Sequence, residues 1–286
     1  MKTYSWLIRR EIWEFRATWL IPAVVGGVLI IATLFGRIDM SAFDSQLASV
    51  NMGTVFLLGL GVLFYAVMSI YSSWYLMDCL YNDRRDRSIL FWKSLPVSDT
   101  QTVLSKLFMG LLIIPLVFMV ASDLTSLLMA FVLSIRSHAT LGGALWHPGI
   151  WFQVQVLWLY VIVTTAIWYL PVAGWLMIVS AWAKRAVMLW TLLPPLVLYL
   201  IEKWFLNTHV VQNVIGRRLV GYAAVAYHGN EKWINENLSD TSPAVSVWRF
   251  INPAGFFSDL AVWIGLAVGI AMIVCAIQLR MRRSEM

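Results

Sequence analysis

Charge is scarce in this chain. Asp, Glu, Lys and Arg make up 13% of its 286 residues, against 60% hydrophobic side chains and a mean hydropathy of +0.75. A soluble globular domain carries about 25% charged residues, so a water-soluble fold is excluded and the chain belongs in a membrane. Cysteine is nearly absent: Cys79 and Cys275 offer no disulfide framework and are read as reduced packing residues near helix ends. No lysine follows a glycine, so the phosphate loop G-x-x-x-x-G-K-[ST] is missing. The chain is therefore not expected to be an enzyme, or to bind ATP and Mg or any other cofactor itself. His138, His147, His209 and His228 have neither the H-E-x-x-H spacing nor a cysteine cluster beside them, which leaves no metal site to expect. No nucleophile and base stand in an evident pair. The net charge of +6 is spread over short loops rather than gathered on one face, so nucleic acid is not an expected partner.

What the sequence has in quantity is long apolar runs and aromatic residues, including sixteen Trp and ten Tyr of the kind that collect at membrane interfaces. A span needs about 20 apolar residues to cross roughly 30 Å of hydrocarbon. That length picks out six runs, at about 17–36, 53–77, 105–134, 151–182, 186–203 and 258–279. The first lacks a small-residue cleavage site before Arg37 and is read as a retained anchor. Six spans place both termini on one side. Putting the termini, the loop from Asp78 to the third span and the turn at Lys184 and Arg185 on that side gathers fourteen of the twenty-one Lys and Arg, so both termini are expected to be cytoplasmic.

The predicted fold is all-α: a single integral-membrane domain over 1–286, with an interfacial helix at 1–16, a cytoplasmic loop at 78–100 and an extracytoplasmic segment at 204–257. In YSWLIRREIWEFR, the apolar Trp6, Ile8, Ile12, Trp13 and Phe15 alternate with Arg9, Arg10, Glu11, Glu14 and Arg16, which suits a helix lying in the interface plane. Pro115, Pro171 and the pair Pro194 and Pro195 are expected to kink or break their spans. Residues 204–257 include VVQNVIGRRLVGYAAVAY and VSVWRFINPAGFF, which are too apolar for a linker. Short helices lying on the outer leaflet or dipping into it are expected there, around an exposed polar loop HGNEKWINENLSDTSP. Glu202 and Lys203, at a span end, are read as interfacial.

The loop NDRRDRSILFWKSL, residues 82–95, sets the charges of Asp83, Arg84, Arg85, Asp86 and Arg87 directly before Ile89, Leu90, Phe91 and Trp92. Pro96 closes this stretch, and Ser98 with Gln101 forms a capping-box pattern that starts the third span. A short cytoplasmic helix over about Asp83 to Leu95 is expected between two spans. Mixed charge beside an apolar patch suits a protein surface better than anionic lipid, which a purely basic loop would favour.

With its charged cluster, apolar helix, Pro96-Val97-Ser98 turn and Lys106 at the start of the third span, this segment resembles the corresponding loop of ABC-2 type permeases, the membrane subunits of bacterial ABC exporters. The family loop usually opens with glutamates and a Gly-Thr pair, where this chain has NDRRDRS. The resemblance implies a permease in the bacterial inner membrane, working as a pair, most simply a homodimer, with two copies of a cytoplasmic ATP-binding subunit that supplies ATP and Mg. It implies a coupling helix in which Asp83 to Arg87 make salt links to that ATPase and Ile89, Leu90, Phe91 or Trp92 fill its cleft. It also implies re-entrant helices between spans five and six and a permease interface along spans one and five, where Gly26 and Gly27 permit close approach, either between subunits or within one.

Asp123, in MVASDLTSLL, is the acidic residue well inside a span; it is read as lining a substrate path, as pairing with a neighbouring helix, or as a hydrogen-bonded structural group with Ser122, Thr125 and Ser126 nearby. A secondary carrier or channel is the first alternative and would call for more intramembrane charge. A nonconducting scaffold that recruits a cytoplasmic protein through the same loop is the second. The orientation is tested by cysteine labelling in a background without Cys79 and Cys275. A membrane-impermeant maleimide applied to intact spheroplasts should label Asn237→Cys and spare Ser88→Cys until the cells are opened, and the reverse pattern would invert the topology.

Overall fold

The computed structural model describes residues 2–36, 46–85, 98–136, 146, 148–206, 208–228, 248 and 250–283. Helix α1 (Lys2–Glu14) leads into α2 (Ala17–Phe35), α3 (Gln46–Arg85) and α4 (Asp99–Arg136). Helices α5 (Pro148–Trp168) and α6 (Leu170–Trp182) follow, then α7 (Val187–Ile201), which runs on in a wider π turn over Glu202–Leu206. Short helices α8 (Val210–Val220), α9 (Tyr222–Ala226) and α10 (Pro253–Ser258) precede the last helix, α11 (Leu260–Arg283). Among the described residues no strand forms, only an isolated antiparallel bridge between Tyr227 and Ile251. Six of the helices are long and apolar enough to cross a membrane, and the chain is a multi-pass helical membrane protein.

The core runs down the centre of the bundle through Phe64, Cys79, Met109, Ile114, Phe118, Met177 and Ala276, all fully buried. Val28, Val62, Ile70 and Leu196 point outward, as apolar side chains facing hydrocarbon do. With no hydrophobic force between helices in lipid, close packing depends on small residues. A Cβ at Gly269 would lie 2.9 Å from the backbone of Leu170 and Pro171, and one at Gly174 would lie 2.7 Å from Met272 Cβ, so α6 and α11 meet almost backbone to backbone. Gly26 lets Thr125 of α4 close on α2 in the same way, whereas Gly27 faces open space. Of the two glycines, Gly26 is therefore used within the subunit.

The prolines act differently from one another. The fourth run divides at Tyr169, with Pro171 in the first turn of α6, as its missing N–H allows. Its two halves together traverse the bundle, from Trp146, bonded to Ser134 at one end, to Ser180, bonded to Leu80 and Tyr81 at the other. Ahead of Pro115, the backbone widens into a π segment over Met109–Ile113, where Ile114 N–H reaches back to Met109 O. The next bond in that register would come from Pro115, which has no N–H. Ser72 Oγ donates to the stranded Gly110 carbonyl instead, at 2.5 Å.

The expected break at Pro194 and Pro195 does not occur, and α7 is continuous through both. Pro195 withdraws the donor that Thr191 O would otherwise receive, and Trp175 Nε1–H of α6 donates to that carbonyl at 3.2 Å. Ala186 takes φ of 51° in the tight turn that joins α6 to α7. Gly269→Val should lower stability by about 1–3 kcal/mol through overpacking, while Gly27→Ala should leave it unchanged; a thermal-melt series read by size exclusion in detergent checks both.

Candidate functional site

Four helix segments that are distant in sequence converge at one end of the bundle on a cluster of buried charge. Lys106, in the second turn of α4, has no solvent-exposed surface. Its Nζ lies 2.8 Å from Glu11 Oε1 of α1 and 3.2 Å from Asp83 Oδ1 of α3. The other oxygen of Asp83 meets Arg280 Nη1 of α11 at 3.1 Å, and Arg280 Nε donates to Asp99 Oδ1 at 3.0 Å. Tyr75 O–H donates to Glu11 Oε2 at 2.8 Å and packs edge-on against Phe15. Both oxygens of Glu11 and of Asp83 thus have partners, which a buried ion cluster requires if desolvation is not to exceed the Coulombic gain. Among the described residues, three carboxylates (Glu11, Asp83 and Asp99) face two cations (Lys106 and Arg280).

The sequence pattern set up two of these positions locally. Ser98 caps α4 as a full capping box with Gln101, which fixes where α4 starts and places Asp99 in its first turn. On α1, Leu7 and Glu11 share one face and both are buried, while Trp6 and Trp13 are 66% and 72% exposed. Glu11 was expected on a polar face of α1; it lies on the buried one because Lys106 and Tyr75 receive it. Its position four residues after Leu7 and four before Phe15 was the sequence signal for this.

The residues expected to dock an ATPase divide into two groups. Asp83, Arg84 and Arg85 do not begin a separate helix: the hydrogen bonding of α3 continues through them, so they form its last turn. Asp83 is turned inward to Lys106 and Arg280, and is 3% exposed instead of forming part of a surface. Arg84 crosses to the end of α6, donating to Ser180 O and, at 2.9 Å, to Ala183 O. Arg85 is exposed. Asp86, Arg87, Ile89, Leu90, Phe91 and Trp92 lie outside the described residues. Both flanks of that stretch are nevertheless held, one through Asp83 and the other through Asp99 and Lys106, by the same cluster.

Asp123 sits half-buried in α4 and accepts a hydrogen bond from Gln155 Nε2 of α5 at 2.8 Å. The partner is on a neighbouring helix, one of the arrangements expected for it, while the nearby Thr125 and Ser126 hydroxyls donate back to carbonyls of their own helix. Glu202, read as interfacial, is 3% exposed and caps α8: it accepts from Val211 N, Gln212 N and Thr208 Oγ1 at 2.9–3.1 Å. Arg136 likewise caps the end of α2 through the carbonyls of Thr33 and Gly36.

The segment between the fifth and sixth long helices folds back against the break in the fourth. Trp168 Nε1–H donates to Arg218 O at 2.8 Å, Tyr169 O–H to Leu219 O at 3.1 Å and Tyr160 O–H to Ala226 O at 2.7 Å. The Arg218 guanidinium stacks on Trp168 at 4.6 Å, and Trp168, Tyr222 and Phe256 form a second small core. Among the described residues no group of His, Cys, Asp or Glu could hold a metal, and both cysteines are free, Cys79 buried and Cys275 exposed.

Comparison with known proteins finds no family model, no curated protein and no solved structure that matches this chain. Lys106→Met should cost about 3–5 kcal/mol by removing the buried ammonium that faces both Glu11 and Asp83. Adding Glu11→Gln should recover part of that loss, which a double-mutant cycle on thermal stability measures directly.

Proposed function

We propose that the chain is the membrane-spanning permease subunit of an ATP-driven exporter of the ABC-2 type. In this reading it sits in a bacterial inner membrane with both termini in the cytoplasm, pairs with a second copy of itself and is driven by two cytoplasmic ATP-binding subunits. The observation that carries the proposal is the buried ion cluster, which ties both flanks of residues 86–97 to α1 and to the end of α11. A loop anchored in this way does not move alone, because displacing it either moves four helices or breaks buried ion pairs. That is the mechanical requirement for an element that passes the state of an ATPase to a translocation path.

ATP binding would draw the two ATPases together, and the charged and apolar faces of residues 83–92 would follow them. Arg85 and the apolar run Ile89 to Trp92 are assigned the docking contacts, with Asp83 acting inside the permease to hold the loop in place. The helices would then open a path at the interface of two permeases, for which α2 and α7 are the least buried spans. Such coupling requires the ATPase to bind the two states with different affinity. Asp123, with Gln155, is assigned to the substrate path.

The test is gentle-detergent purification of the tagged chain from its native host, with mass spectrometry of what accompanies it. A protein with a phosphate loop should co-purify with the wild type and be lost from Arg85→Glu with Trp92→Ala, while the variant keeps the wild-type elution volume. Recovery of the intact membrane protein without such an ATPase would remove the motor and transfer the assignment to a carrier or a scaffold.

A further inference from the structure

Away from the ion cluster, the bundle encloses a cavity of about 400 Å³. Three parts of the chain build it: Gly61 and Tyr65 of α3, Trp158 and Val161 of α5, and Tyr222 and Tyr227 of the segment that folds back between the fifth and sixth long helices. The size falls within the range of about 300–1,000 Å³ common to ligand pockets. Among the described residues, no charged side chain lines it. The Tyr222 hydroxyl is bonded to Thr164 Oγ1 at 2.7 Å, so that phenol contributes ring surface and its polar end is taken by the protein. Ordered water needs two to four polar partners, and the surface that the described lining turns to the cavity is almost wholly apolar. An empty space of this volume would also leave its walls without the packing contacts that protein interiors maintain.

The position of the opening says what fills it. Val62, 67% exposed, and the exposed Ala223 both line the cavity, and Val62 shares its outward face of α3 with Val55 and Ile70. On a helix that crosses the bilayer, this face meets hydrocarbon. A cavity whose mouth opens on lipid, whose walls are aromatic and aliphatic, and which holds no charge is matched to an alkyl chain.

We propose that the cavity is a binding site for one long hydrocarbon chain, which enters from the bilayer between α3 and the stretch from Tyr222 to Tyr227. The chain can belong to a bilayer phospholipid or to another membrane-dissolved amphiphile; the chemistry recognised is the same. The folded-back segment then has a role beyond closing the outer end, since Tyr222, Ala223 and Tyr227 supply one wall. This inference goes beyond the transporter reading and requires no ATPase, so the two stand or fall separately.

The test uses the purified full chain in lipid nanodiscs without any partner. In one arm the probe is a phospholipid with a diazirine midway along one acyl chain, and in the other a single-chain long alcohol with the same group. After illumination, peptide mass spectrometry should find adducts at Tyr65, Trp158 and Tyr227 severalfold above those at the outward-facing Leu124 of α4 and Ile270 of α11, and excess unlabelled chain should compete them away. A Cβ at Gly61 makes its nearest contact with Trp158 at 3.8 Å, so the backbone accepts a side chain there. Gly61→Leu fills the cavity from α3 and, independently, Ala223→Phe fills it from the rim. Either should abolish the cavity adducts and leave those at Leu124 and Ile270 unchanged. Labelling by the phospholipid assigns the site to bilayer lipid, and labelling by the alcohol alone assigns it to a free amphiphile. Cavity residues labelled no more than Leu124 and Ile270, or adducts that neither competitor nor variant reduces, would overturn the proposal.

Discussion

A lysine ammonium without access to water must find anions within reach, and Lys106 finds two, one on a helix that precedes the first span and one at the end of the second. Arg280 extends the pairing to the last helix, and Asp99 returns it to the helix that carries Lys106. The penalty for an unpaired buried charge is several kcal/mol per ion, so this arrangement holds four elements in register more strictly than apolar contact could. Lipid tails and leucine side chains are equally apolar, and greasy surfaces alone give helices little reason to choose one neighbour over another. The ion cluster supplies that choice at one end of the bundle and brings the two terminal helices to the same side.

Construction changes along the bundle. At the charged end, polar groups lock α3 to α6, with Ser180 Oγ accepting from the Leu80 and Tyr81 amides and Arg84 reaching the carbonyls beyond. Immediately past Lys106, the π segment widens α4, and Ser72 takes the carbonyl that Pro115 leaves without a donor. Further along, α5 and α6 part at Tyr169, and aromatic rings fill the space with Trp168, Tyr222 and Phe256 at the centre. Irregular backbone at membrane depth occurs where side chains of neighbouring helices answer it, as the absence of water requires. In the proposed transporter, the polar end receives the partner, and the irregular middle is where the helices have carbonyls already held by side chains rather than by their own ladder.

The six apolar runs were legible because span length is set by the thickness of hydrocarbon, which any sequence must match. The start of α4 was legible because a capping box is a local pattern, with Ser98 and Gln101 bonding only to each other's backbone. The short helices between the fifth and sixth spans were legible from their apolar composition. Asp83 and Glu202 were not: each reads as a charge at a helix end, and each is buried because a partner 197 or 9 residues away, respectively, meets its carboxylate. Glu11 left a trace in its spacing from Leu7 and Phe15, but the partner that receives it lies 95 residues away. The proline pair in α7 was misread for the same reason, since the donor that keeps the helix intact comes from Trp175 on another helix.

By itself, the sequence determined that the chain is a multi-pass helical membrane protein with six runs long and apolar enough to span, and that no lysine stands in a phosphate-loop pattern. These follow from composition, length and local pattern, and need no contact between distant residues. Tertiary structure alone decided which charges are surface and which are cement, which glycine brings helices together and where a cavity is left. Each of those depends on what stands opposite a side chain across the bundle, and the pairing energy of a buried charge or the closeness of two backbones is a property of both partners at once.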